Sequence, residues 1–153
     1  MAEHVYKTSS PEETIRLGQN LARTLNGGEI ICLYGDLGAG KTVLAKGLGV
    51  GLGVKQEITS PTFTLIQEYP TSNEKIAFVH MDLYRLQHPE EAEIIGVTDY
   101  FRDDCICLIE WPEIISDFIP NDRIEIVIQG SGELQRSIIF NTNYSEDYEI
   151  SND

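Results

Sequence analysis

Eight consecutive residues, Gly35-Asp36-Leu37-Gly38-Ala39-Gly40-Lys41-Thr42, constrain this chain more than any other stretch. They fit G-x-x-x-x-G-K-[ST], the phosphate-binding loop. Glycines let the backbone turn where a Cβ would clash, so successive N–H groups can point inward at phosphate oxygens. A lysine in the position of Lys41 reaches β- and γ-phosphates, and a hydroxyl in the position of Thr42 takes one place on Mg²⁺. The surroundings suit the motif. The apolar run over 29–34 predicts a buried strand entering the turn, and 43–48 predicts a helix leaving it, whose dipole adds positive potential at the anion. The competing reading is a glycine-rich strand-to-helix turn without a ligand.

The chain has 153 residues, enough for one domain with a real core. Acidic residues number 25 against 11 basic ones, leaving a net charge of −14. That excess argues against strong unaided binding to nucleic acid or to an anionic membrane, both of which need basic patches. It leaves a basic protein partner open. No apolar run approaches the roughly 20 residues of a membrane span. The start of the sequence has no signal-peptide pattern, so a soluble cytoplasmic protein is expected. Cys32, Cys105 and Cys107 lie in apolar strand-like runs and read as buried free thiols rather than metal ligands.

The remaining pattern alternates helix and strand. A short edge strand is expected over 5–8. Ser10-Pro11-Glu12-Glu13 then supplies a cap, a first-turn proline and the acid of a capping box. Ile15, Leu17, Leu21, Ala22 and Leu25 give the following helix an apolar face, and Asn26-Gly27-Gly28 stops it. Gly47 inside the second helix costs about 1 kcal/mol against alanine, which implies close packing there. A hairpin is expected from strands ending near Tyr69 and over 76–82, then short helices over 89–95 and 97–103. The continuous apolar run 105–109 predicts a central buried strand. A last hairpin is expected from 123–129 and 136–141. The stretch 144–153, rich in acids and poor in apolar residues, reads as a frayed or disordered tail after a domain over 1–143.

A phosphate loop needs an acid beyond it, because Mg²⁺ takes oxygen ligands in octahedral geometry. Two fit by placement. Glu110 ends the most apolar strand, and Asp82 ends the strand before it. Either could also be a solvated strand-end acid. Thr59, Ser60, Thr62 and Thr64 follow the loop helix, where segments that sense a γ-phosphate often sit. Trp111, the sole tryptophan, can stack on a base or a partner or simply pack. His80 reads as a packed or hydrogen-bonded histidine. Arg85 is a candidate charge for phosphate or for a partner carboxylate.

Taken together, the glycine-lysine motif, Ser60-Pro61-Thr62-Phe63-Thr64-Leu65, His80-Met81-Asp82-Leu83-Tyr84-Arg85 and Ile109-Glu110-Trp111-Pro112-Glu113 resemble, in this order, the TsaE family. This family, also called YjeE, comprises P-loop ATPases of bacterial tRNA threonylcarbamoyladenosine synthesis. The resemblance runs from about Thr8 to Arg136. It implies a single P-loop NTPase-like α/β domain with a mixed central sheet flanked by helices. It implies Mg²⁺-dependent ATP binding and slow hydrolysis to ADP and phosphate. It implies action on a TsaB–TsaD complex that modifies adenosine 37 of tRNA, so that tRNA is met only through the complex. Thr42 and Glu110 are then expected at the metal, and Asp82 at the attacking water. Asp36, Leu37, Gly38, Ala39, Gly40, Lys41 and Thr42 are expected at the nucleotide, with Trp111 near it and Thr8 on its adenine side. The family carries a Gly-Arg pair in the last hairpin. Here Gly132 precedes Glu133, and the arginine comes only at Arg136, a departure that bears on Gly132 as a nucleotide contact.

Other readings compete. A small-molecule kinase of the same loop class usually carries a lid with several arginines, whereas Arg16, Arg23, Arg85, Arg102, Arg123 and Arg136 are scattered. A GTP switch would carry an Asn-Lys-x-Asp guanine reader, which this sequence lacks. A non-hydrolysing ATP-dependent binding module would look the same in sequence as a slow ATPase.

Overall fold

The first helix, α1 (Pro11–Ala22), starts where the sequence provides partners for its free amides. The extended Ser10 accepts the Glu13 N–H on its hydroxyl at 3.2 Å, and Pro11 fills a first-turn position that needs no donor. The Glu13 carboxylate reaches back to the Ser9 N–H at 2.7 Å, one residue beyond an ideal capping box. Leu17, Leu21 and Ala22 are buried on its inner face, with Leu25 packed against the same cluster.

The computed structural model describes residues 2–36, 40–61, 64–130 and 134–142. The expected tail over 144–153 lies outside them. The strands are β1 (Ala2–Thr8), β2 (Ile30–Tyr34), β3 (Ile66–Pro70), β4 (Ala77–Asp82), β5 (Cys105–Glu110), β6 (Ile124–Gly130) and β7 (Arg136–Thr142). They form one sheet in the order β1-β7-β6-β2-β5-β4-β3. The four middle strands, β6-β2-β5-β4, run parallel, and β7, β1 and β3 are antiparallel to their neighbours. The expectation of a mixed α/β sheet flanked by helices is met.

Strand periodicity sorts the core into two layers. Ile31, Leu33, Phe78, Ile106 and Leu108 join α1 and the second helix, α2 (Lys41–Gly51). Cys32, Val79, Met81, Cys107 and Ile109 join Ala92 of α3 (Glu90–Ile95) together with Val97, Ile115 and Ile119. β5 is buried along its whole length, as its apolar run predicts.

Three elements differ from expectation. β1 begins at Ala2 rather than near Val5, because its full length pairs with β7, from Ala2↔Thr142 to Thr8↔Arg136. The helix expected over 97–103 is a single 3-10 turn, Val97–Tyr100, with only Val97 buried. Tyr100 and Phe101 still pack against the second layer, but Phe101 leaves the helical backbone at φ −83°, ψ 73° and ends the turn. A second 3-10 segment, Pro112–Phe118, was not expected from the sequence.

α1 and α2 touch backbone to backbone. A Cβ at Gly47 would lie 2.3 Å from the Ile15 carbonyl oxygen, and one at Gly18 would lie 2.7 Å from that of Leu44. This approach explains the glycine inside α2, and it fixes the helix whose first turn carries Lys41 and Thr42.

Candidate functional site

Register brings the sequence motifs to one edge of the sheet. Asp82 pairs with Glu110, and Leu33 of β2 pairs with the same Glu110. On the other side, Gly130, Arg136 and Thr8 lie in one row across β6, β7 and β1. All these positions fall at the carboxyl end of the parallel strands. In open α/β sheets this end holds ligands.

The turn from β2 to α2 opens here. Gly40 adopts φ +100°, a left-handed conformation that favours glycine. The Arg136 side chain runs along its open side, with Nε 3.5 Å from where a Cβ would stand. Leu37, Gly38 and Ala39 lie outside the described residues, as do Thr62 and Gly132. Asp36 is described and exposed.

Lys41 is only 6% exposed, yet its ammonium has no hydrogen-bond partner among the described residues. It rests on the face of Trp111, with Nζ 4.1 Å from the ring centroid. A desolvated cation so placed gains from the ring quadrupole but keeps its donors unspent. Trp111 itself stands in the left-handed region at φ +56°, unusual for a bulky side chain, and its ring meets that of Tyr84 at 5.0 Å. Backbone strain of this kind costs about 1–3 kcal/mol and collects at functional sites. Beside Lys41, the Thr42 hydroxyl lies 2.9 Å from that of Ser60.

The two acids have different surroundings. Glu110 is 3% exposed, and its Oε2 lies 2.6 Å from Nε2 of the fully buried His80. Asp82 is half-buried, and its Oδ1 accepts the Tyr84 N–H at 3.1 Å. Burial pushes the Asp82 carboxyl above its ordinary value; the Tyr84 N–H opposes this, the Glu110 charge adds to it, and the Lys41 ammonium opposes it.

Gly40, Lys41, Thr42, Asp82, Glu110 and Trp111, all singled out by sequence, line one cavity of about 340 Å³ together with Ser60 and Arg136. Other nominated residues stand apart from it. Thr8 is buried with its hydroxyl 2.7 Å from that of Thr14, and it borders a separate polar pocket of about 250 Å³ between β1 and α1. Arg85 is exposed and does not line the cavity. Linear pattern marks His80 only as a packed or hydrogen-bonded histidine, and shows neither its contact with Glu110 nor the approach of Arg136 to Gly40. For Arg136 the signal lay in the β6–β7 hairpin, whose register sets that arginine opposite Gly130. A larger cavity of about 510 Å³ lies at the opposite end of the sheet, near Lys75 and Arg102. The guanidinium of Arg102 is already paired there with Asp104 at 2.6 Å.

Among the described residues no three His, Cys, Asp or Glu side chains converge as a metal cluster. A magnesium site built from one hydroxyl and one or two carboxylates depends instead on phosphate oxygens and water for its remaining ligands. The thiols are free and buried as expected, and burial pushes that of Cys32 up to about 12. No described helix is long and apolar enough to cross a membrane.

Sheet order and site together define a single-domain α/β protein organised around one cavity at the carboxyl edge of its parallel strands. Residues 8–138 match the family model for threonylcarbamoyl adenosine biosynthesis protein TsaE. The chain belongs to the TsaE family, which takes part in tRNA threonylcarbamoyladenosine biosynthesis. It is 39% identical over 140 residues to the tRNA threonylcarbamoyladenosine biosynthesis protein TsaE of Bacillus subtilis, covering 92% of this chain and 86% of the relative. The Treponema pallidum protein of the same name is 37% identical over 129 residues, 84% of this chain and 93% of the relative. Among solved structures, the crystal structure of Bacillus subtilis YdiB superposes with a TM-score of 0.74 at 35% identity, covering 92% of this chain and 86% of that one.

Proposed function

We propose that this chain is a Mg²⁺-dependent ATP-binding protein that hydrolyses ATP slowly and works with the TsaB–TsaD complex in threonylcarbamoyl modification of adenosine 37 of tRNA. The observation that carries the nucleotide reading is Lys41. A buried ammonium without a hydrogen-bond partner among the described residues, held beside a hydroxyl and two acids, is matched by a phosphate chain and by little else. Lys41 then leaves the Trp111 face for the β- and γ-phosphates. Asp36, Leu37, Gly38, Ala39 and Gly40 contact the nucleotide phosphates in this reading, and Arg136 adds positive charge over Gly40 in place of the arginine missing after Gly132. Thr8 belongs to the adenine side.

Thr42 and Glu110 are the residues that would hold Mg²⁺, which neutralises charge on the phosphates when bound. Asp82 orients the attacking water and takes its proton. The upward push on its carboxyl suits that role, because a more basic carboxylate accepts a proton more readily. The net charge of −14 gives the chain no basic footprint for a phosphate backbone, so it meets tRNA through its protein partners in the cytoplasm.

Calorimetric titration with ADP and ATP, at zero and at millimolar Mg²⁺, tests this reading. The wild type should bind more tightly with Mg²⁺. Glu110→Ala should lose most of that gain, and Asp82→Asn should keep it. The reverse pattern would exchange the roles of the two acids, and a wild type that binds neither nucleotide would refute the proposal.

A further inference from the structure

His80 is fully buried on β4, two residues before Asp82 and on the same face of the sheet. Its Nε2 lies 2.6 Å from Oε2 of Glu110, its ring stacks at 16° on Phe78, and its Nδ1 is buried without a hydrogen-bond partner among the described residues. A neutral imidazole carries one N–H. On Nδ1 that N–H would be orphaned in the core, and Nε2 would turn a lone pair toward a carboxylate. A doubly protonated ring would also orphan a donor at Nδ1. With the proton on Nε2, the short contact is a charge-assisted hydrogen bond, and only a bare lone pair at Nδ1 goes unmet.

From this geometry we infer that His80, as the neutral Nε2–H tautomer, is the positioning residue for Glu110. It donates to Oε2 from inside the protein and leaves Oε1 for the cavity. The carboxylate is thereby held in one orientation at the carboxyl edge of β5. His80 does not line the cavity and acts only through Glu110. Partners of this kind, bonded to a metal-binding group from behind, typically contribute about 10–100-fold in metal affinity. The inference rests on Glu110 as a metal-binding acid.

Two measurements test it. Long-range ¹H–¹⁵N correlation spectra of the nucleotide-free wild type should show His80 at pH 7 as the neutral Nε2–H form. A protonated Nδ1 would overturn the inference, whatever the variants do. Binding of Mn²⁺ in the presence of ADP, followed by electron paramagnetic resonance, should then separate two substitutions. His80→Leu keeps the volume but has no donor and should lose about 10–100-fold in Mn²⁺ affinity. His80→Gln places an N–H near the same point and should stay within about threefold of wild type, a difference below about 0.7 kcal/mol. ADP affinity without metal should be unchanged in both. A His80→Leu chain that binds Mn²⁺ like wild type, or a His80→Gln chain that loses as much as His80→Leu, would remove the positioning role. Should His80→Leu not fold, the tautomer and the His80→Gln result decide. A wild type that binds ADP with no effect of Mn²⁺ would instead refute the metal reading of Glu110.

Discussion

Replacing Lys41 by methionine separates binding from stability at the centre of the site. In the free chain the ammonium sits 4.1 Å from the Trp111 ring centroid, buried and without a hydrogen-bond partner among the described residues. A desolvated cation–π contact of this kind contributes about 2 kcal/mol. Moved to within 4 Å of one phosphate charge, the ammonium gains about 4 kcal/mol at an effective dielectric constant of about 20. Binding exchanges the first contact for the second, a net gain of about 2 kcal/mol, or about 30-fold in Kd. Lys41→Met should therefore weaken Mg-ADP binding by about 30-fold in calorimetry. Stability should respond differently. Methionine keeps most of the stem and sets a polarizable sulfur near the ring, while the cost of an unpartnered buried ammonium disappears. The Tm should rise or stay within about 3 °C, the shift that about 1 kcal/mol produces in a domain of this size. Unchanged affinity would mean that the ammonium never meets a phosphate. A fall in Tm of about 10 °C would make Lys41 a structural element of the Trp111 contact, contrary to the reasoning.

Four further outcomes follow from named contacts. Asp82→Asn should lose about 100-fold or more in kcat with KM little changed, measured by phosphate release, as expected for a group acting mainly in the transition state. The same variant has a pH signature. A carboxyl raised above its ordinary 3.8 keeps its proton longer in the folded chain, so its contribution to stability falls as pH rises from 3.8 through the raised value. Asparagine does not titrate, so the Tm of Asp82→Asn relative to wild type should be higher at pH 7 than below 3.8; an equal difference at both would contradict the upward shift. Mg-ADP should change the emission of Trp111, the sole tryptophan, as Lys41 leaves its ring; a spectrum unaltered by calorimetrically verified binding would place the ring away from the event. Gly47→Ala puts a methyl 2.3 Å from the Ile15 carbonyl, between two backbones that cannot yield locally. Overpacking of about 1–3 kcal/mol outweighs the helix propensity gained, so the Tm should fall by a few degrees. A rise would mean that α1 and α2 separate without cost.

Much of the molecule was legible because its signals are local. The run from Ile30 to Leu33 and the run from Cys105 to Ile109 have no polar interruption, so their burial on both faces was expected. Ser10, Pro11 and Glu13 marked the start of α1 within four residues. Gly47 announced a close approach, although its partner, the Ile15 carbonyl, was not named by any local pattern. What escaped depends on distant pairing. β1 is as long as it is because β7 lies beside it, more than a hundred residues later in the chain. The His80–Glu110 bond spans 30 positions and exists only because β4 and β5 run parallel in one register. Trp111 was nominated by its place after Glu110, but its left-handed backbone and its hold on Lys41 required the turn into Pro112–Phe118. Arg136 looked misplaced in the linear spacing after Gly132, yet the hairpin returns it to Gly40.

Reconstitution tests the proposal that this chain spends ATP to support a tRNA-modifying complex. Threonylcarbamoyladenosine would be measured in tRNA hydrolysates after incubation with TsaB–TsaD, a threonylcarbamoyl donor, Mg²⁺ and this chain in sub-stoichiometric amounts. Wild-type chain and ATP should give modification well beyond one equivalent of the complex. Lys41→Met, or a non-hydrolysable ATP analogue, should give no more than the level without the chain. The same yield of modified tRNA without the chain, or with the analogue in place of ATP, would contradict the proposal.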